Sequence, residues 1–74
     1  MENPEHILIF KTNINSAEDI HCVKQSLNGH LQIEKWNIDL LDVDCVLRIV
    51  SQSLDHMQVI DLITNHGYEC VELM

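Results

Sequence analysis

Three cysteines, five histidines and twelve carboxylates in a chain of 74 residues are the groups able to hold a metal ion or move a proton. Cys22, Cys45 and Cys70 stand far apart in sequence, whereas a structural zinc site uses close cysteine pairs. His21 and Cys22 are adjacent, but neighbouring side chains on a helix diverge by about 100° and do not converge on one ion. Cys22 is expected to face solvent, and Cys45 and Cys70 read as small core fillers. His66, just before Gly67, suits the negative end of a helix dipole. A metal reading of these residues would take Cu or Zn at an unconventional site to which Cys22, His21, His66 or a second chain contributes; the expectation is no cofactor. Asp39, Asp42 and Asp44 crowd one turn without the glycine and late glutamate of a calcium loop. They read as a solvated acidic turn offering electrostatic contact to a basic protein partner. Trp36 is expected to pack beneath the helices, with an exposed interface anchor as the alternative. No serine, threonine or cysteine stands in a nucleophile motif with a histidine, and the two glycines both read as helix stops. Neither nucleophilic catalysis nor a phosphate-cradling loop is therefore indicated, and the chain is expected not to be an enzyme.

The composition narrows the partners. Four Lys/Arg against twelve Asp/Glu leave a net charge of −8, too little basic surface for nucleic acid or for a polybasic membrane contact. Seven of the acids follow residue 37, where Arg48 is the lone Lys or Arg. Apolar runs are too short to span a bilayer, and MENPEH lacks the basic and apolar regions of a secretion signal. An odd set of widely spaced cysteines suits a reducing, cytoplasmic setting.

The elements that must position these groups follow from periodicity. Residues 1–5 read as an N-terminal arm and 6–73 as one domain. Residues 6–12 (HILIFKT) form a buried strand. Ser16 is placed to N-cap the next helix, with Asp19 reaching back in a capping-box manner. Ile20, Val23 and Leu27 make its buried stripe, and Asn28-Gly29 ends it through a left-handed glycine. Residues 31–39 and 45–50 read as a strand pair around the acidic turn. Ser53 is the candidate N-cap for a helix over 54–66, stopped by Gly67, and residues 68–73 close the chain as a strand. Leu47 and Ile49 fall on one side of the third strand, Val46 and Val50 on the other, where strand propensity accounts for them more simply than a partner surface does. The order β-α-β-β-α-β specifies an α+β, ferredoxin-like fold: a four-stranded antiparallel sheet with two helices on one face.

The Val23/Leu27 spacing, the segment IEKWNIDL and the ending ITNHGYECVEL resemble the heavy-metal-associated (HMA) family of small copper chaperones and metal-ATPase modules, over essentially residues 6–73. The family's Met-x-Cys-x-x-Cys loop falls on residues 14–19, which puts Ser16 and Asp19 where the two thiolates would stand. A hydroxyl and a carboxylate are hard donors and do not replace soft sulfur for Cu(I). Ile14 keeps the apolar plug. The resemblance thus implies an HMA-like domain with a degenerate metal loop, acting as a protein-interaction or regulatory module. The alternative is a heavy-metal chaperone using an unconventional Cys/His site.

Overall fold

In a computed structural model, which describes residues 7–73, the first strand β1 (Ile7–Thr12) buries Leu8, Phe10 and Thr12 in strict alternation. That period of two turns one set of side chains to a core and leaves Ile7, Ile9 and Lys11 on the opposite face. The remaining elements are α1 (Ala17–Asn28), β2 (Lys35–Asp39), β3 (Val46–Val50), α2 (His56–Thr64) and β4 (Cys70–Glu72). The strands form one antiparallel sheet in the order β2-β3-β1-β4. The expected ferredoxin-like βαββαβ fold is what the chain adopts. The arm assigned to 1–5 and His6 lie outside the described residues.

Phe10, Leu47 and Ile49 from the sheet, Val23 and Leu27 from α1, and Val59 and Ile63 from α2 form one core and are almost fully excluded from solvent. Trp36 and Ile38 of β2 pack against it. Register places Trp36 opposite Ile49 and Ile38 opposite Leu47, so both β2 side chains share the covered face. The indole of Trp36 is half-buried and its Nε1–H donates to Asn28 Oδ1 at 2.8 Å.

Several boundaries differ from the sequence expectation. β2 begins at Lys35 rather than 31, because residues 30–33 turn on themselves: His30 O accepts from Ile33 N–H and His30 Nδ1 from Gln32 N–H. β3 begins at Val46 because Cys45, at φ 45°, sits in the left-handed region and cannot continue a strand. Asp55, not Ser53, caps α2, since only Asp55 completes a reciprocal capping box with Gln58. Ser53 instead accepts from Gln32 Nε2. α2 stops at Thr64, which puts His66 beyond the helix, its Nε2 lying 2.7 Å from Ser26 Oγ. β4 starts at Cys70 rather than 68. Gly29 ends α1 with φ −86°, not left-handed; the glycine that uses positive φ is Gly67, at 91°.

Candidate functional site

The segment between β1 and α1 is where the resemblance places a metal loop, and its geometry is built from both flanks. Thr12 is buried at the end of β1, donates through Oγ1 to Cys45 O at 2.7 Å, and accepts from Ile14 N–H at 3.1 Å. Ile14 is fully buried, so an apolar side chain anchors the loop from below. Asn13 Oδ1 accepts from Glu69 N–H at 2.8 Å, tying the loop to the chain entering β4. That chain can arrive there because Gly67 takes the left-handed turn preceding Tyr68.

Ser16 and Asp19 close the loop. Ser16 Oγ accepts from Asp19 N–H at 3.1 Å, the expected N-cap bond. Asp19 reaches back one residue further than a capping box does, its Oδ2 accepting from Asn15 N–H at 3.2 Å. Its Oδ1 accepts from the Tyr68 hydroxyl at 3.0 Å. The Asn15 amide first, and the phenol second, hold the Asp19 carboxyl below the ordinary range. Cys22 stands one turn along α1 from Asp19, on the same side of the helix, and is exposed. Its thiol neighbours Tyr68 and is the foremost reason the phenol is held well above its usual range; burial and Asp19 add to it.

Tyr68 is the residue that the reading of individual side chains missed. Gly-Tyr was visible as a spelling, but the partnership of Tyr68 with Asp19 spans 49 positions, and no local period reports such a contact. The other candidates are scattered. His21 flanks the same shallow surface as Ala17, Glu18, Asp19 and Cys22, whereas His66 lies against Ser26. Among the described residues no group of three or more His, Cys, Asp or Glu is gathered closely enough to hold a metal ion. Both oxygens of Asp19 and the Ser16 hydroxyl are engaged within the protein, and as hard donors they do not fit Cu(I). Among the described residues Cys22 is the exposed cysteine beside the loop. Cys45 and Cys70 are buried, as expected, and burial pushes the Cys70 thiol up to about 11.

The acidic turn is at the far end of β2. Asp39 Oδ1 accepts from Leu41 N–H at 3.0 Å and Asp42 Oδ1 from Asp44 N–H at 2.9 Å. Asp44 also lies 3.7 Å from Lys11 Nζ. These bonds fold the backbone so that Leu41 and Val43 project outward, 96% and 94% exposed.

No protein-family model matches the chain, and no curated protein matches it in sequence. Solved structures do match in shape. The apo HMA domain of a copper chaperone for superoxide dismutase superimposes with a TM-score of 0.78 at 19% identity, over 92% of this chain. This chain spans 66% of the length of that one. The copper(I)-loaded first domain of the human copper chaperone for the same enzyme gives 0.76 at 20% identity, covering 89% of each chain. A chain of the Atx1–Cu(I)–Ccc2a complex gives 0.77 at 14% identity, covering 92% of this chain and 94% of that one. These neighbours correct the expectation of no cofactor: they are copper proteins, two of them solved with Cu(I). Among the described residues no helix is long and apolar enough to cross a membrane. What the likeness establishes is the architecture: the chain has the fold of the HMA domains of copper chaperones.

Proposed function

We propose that the chain is a non-enzymatic, cytoplasmic interaction module of the metallochaperone fold, which docks a basic protein partner on its acidic β2–β3 turn. The observation that carries this reading is the exposure of Leu41 and Val43 between Asp39, Asp42 and Asp44. Apolar tips within a charged rim are the anatomy of a protein contact, and the carboxylates would steer and select a cationic surface. Trp36, on the strand that ends in this turn, stiffens its base through the core and Asn28. Ser16 and Asp19 stand in place of two thiolates as a hydrogen-bonded, degenerate loop.

A second reading is favoured by the copper neighbours and by the exposure of Cys22 beside Tyr68. In it the chain handles Cu(I) or Zn(II) at an unconventional site made by Cys22 with His21, His66 or a donor from another protein.

A photo-crosslinker placed at Leu41 in cells tests the first reading. The expected product is a defined adduct that disappears when Asp39→Asn, Asp42→Asn and Asp44→Asn are combined, a change that keeps the turn's Oδ1 acceptors and removes its charge. An adduct indifferent to that neutralisation overturns the reading. Titration with Cu(I) under reducing conditions tests the second. Stoichiometric binding tighter than about micromolar, lost in Cys22→Ser, supports it, and absence of binding rejects it.

A further inference from the structure

The four Lys and Arg residues are not spread over the molecule. β1 places Lys11 on the side away from the helices, because Leu8, Phe10 and Thr12 take the covered side. Register puts Ile7 and Lys35 opposite Val50, and Ile9 and Asn37 opposite Arg48. Lys11 lies opposite Val71. Three of the four cations in a chain of net charge −8 therefore share the open face of the sheet with Ile7, Ile9, Val50 and Val71. Strand propensity explains β-branched residues there, but not why the scarce cations gather among them.

The face is also shaped. A groove of about 260 Å³ crosses it, lined by Ile7, Lys35, Trp36, Asn37, Arg48 and Val50. Ile7 on its floor is 39% exposed, and Val71, elsewhere on the same face, is 54% exposed. Lys11 is matched by Asp44 at the rim. Lys35 and Arg48 make no ion pair among the described residues. Asp39 stands at the turn end of the same face and spends one oxygen on Leu41 N–H.

We propose that the open sheet face docks an acidic, aliphatic peptide segment of a partner protein, its carboxylates meeting Lys35 and Arg48 and its aliphatic side chains lying over Ile7 and Val50. The volume suits two or three side chains and falls short of the ~300 Å³ at which small-molecule pockets begin. Three cations are too few for a phosphate backbone, whose binding depends on many simultaneous charge contacts. The rest of the surface is acidic, but at physiological ionic strength charges are screened beyond about 8 Å. The shortest dimension of the molecule is 20 Å, so a segment on this face senses the local cations rather than the far side. The inference is independent of the acidic turn: it concerns another face, with a partner of opposite charge.

The test is a titration of the isotope-labelled chain with a short peptide of alternating Glu and Val, beside its Lys/Val counterpart. The expected result is saturable shifts of Ile7, Lys35, Asn37, Arg48 and Val50 with the acidic peptide alone. Arg48→Gln and Lys35→Gln, exposed positions whose folding circular dichroism verifies, should together weaken it at least about tenfold. Added salt should weaken the unmodified chain in the same direction. Equal binding of the Lys/Val peptide, shifts on α1 or α2, or no saturation by about 1 mM, an affinity of ~4 kcal/mol, overturns the proposal. So does concentration-dependent sedimentation with the same residues shifting, which would make a second copy the occupant, or displacement of the peptide by an oligonucleotide.

Discussion

The two faces of the sheet carry aliphatic side chains from the same strands, yet they put them to different uses. On the covered face Leu8, Phe10, Leu47 and Ile49 meet Val23 and Leu27 of α1 and Val59 and Ile63 of α2, and water is excluded. On the open face Ile7, Ile9, Val50 and Val71 alternate in register with Lys11, Lys35, Asn37 and Arg48, and water reaches them. The difference teaches that apolar content by itself does not identify a core. What separates the two faces is closure: one set of residues is sealed by two helices, and the other is interleaved with charge that keeps it soluble and available.

The sharpest way to break this comparison is to truncate one residue on each face of the same strand. Phe10→Ala removes a fully buried ring from the centre of the core and should cost about 3–5 kcal/mol, the usual range for such cavities. Ile9→Ala removes a neighbour that is only half-buried on the open face and should cost roughly 1 kcal/mol, because little of its surface leaves water. Denaturant melts of both variants read the difference. Comparable losses would mean the open face is packed as tightly as the covered one.

A smaller effect tests the loop against both faces. Ser16→Ala deletes the acceptor of the Asp19 amide and should lower stability by about 1 kcal/mol, the common worth of an N-cap. The sheet registers should be unaffected, since the loop is pinned separately through Thr12, Asn13 and Ile14. Amide exchange that accelerates in the first turn of α1 and nowhere in β1 or β3 is the expected pattern.

The sheet and its helices were legible because each rests on a local rule. The apolar run of β1, the Val23/Leu27 spacing and the Ser16 cap each speak within a few residues, and they agree. The failures share one cause. Ser53 and Asp55 are both acceptable N-caps by type, and the choice fell to Gln58, which only Asp55 can use reciprocally. Cys45 reads as a strand residue, but Thr12 binds its carbonyl from across the sheet and its backbone turns left-handed. At the candidate site, the Ser16–Asp19 pairing was visible in sequence while Tyr68 was not, since its contact depends on how β4 returns beside α1. The clustering of Lys11, Lys35 and Arg48 was equally invisible. Single-strand alternation places each on a face, but only the register between strands shows that the face is shared.

The smallest perturbation of stability is also the most specific probe of how the helix side is wired. Tyr68 is the only tyrosine, so the phenolate absorbance band reports one hydroxyl. In the folded chain the neighbouring Cys22 thiol, burial and the bond to Asp19 all favour the neutral phenol. Folded-state titration should therefore begin well above the value of 10.0 for a free phenol, while the denatured chain titrates near it. The sign follows from linkage: a raised folded value gives stability that is fully present below pH 10.0 and is lost as pH rises through the folded midpoint. Asp19 acts in the opposite window, its lowered carboxyl contributing above pH 3.8 and losing that contribution as pH falls through the folded value beneath it. Cys22→Ala and Asp19→Asn should each bring the phenol midpoint down, Cys22→Ala through the foremost of its causes. Lys35→Gln, on the open face, should leave it in place. A folded-state midpoint at 10, with circular dichroism intact, would show the hydroxyl free in water and would remove Tyr68 from the wiring of the loop.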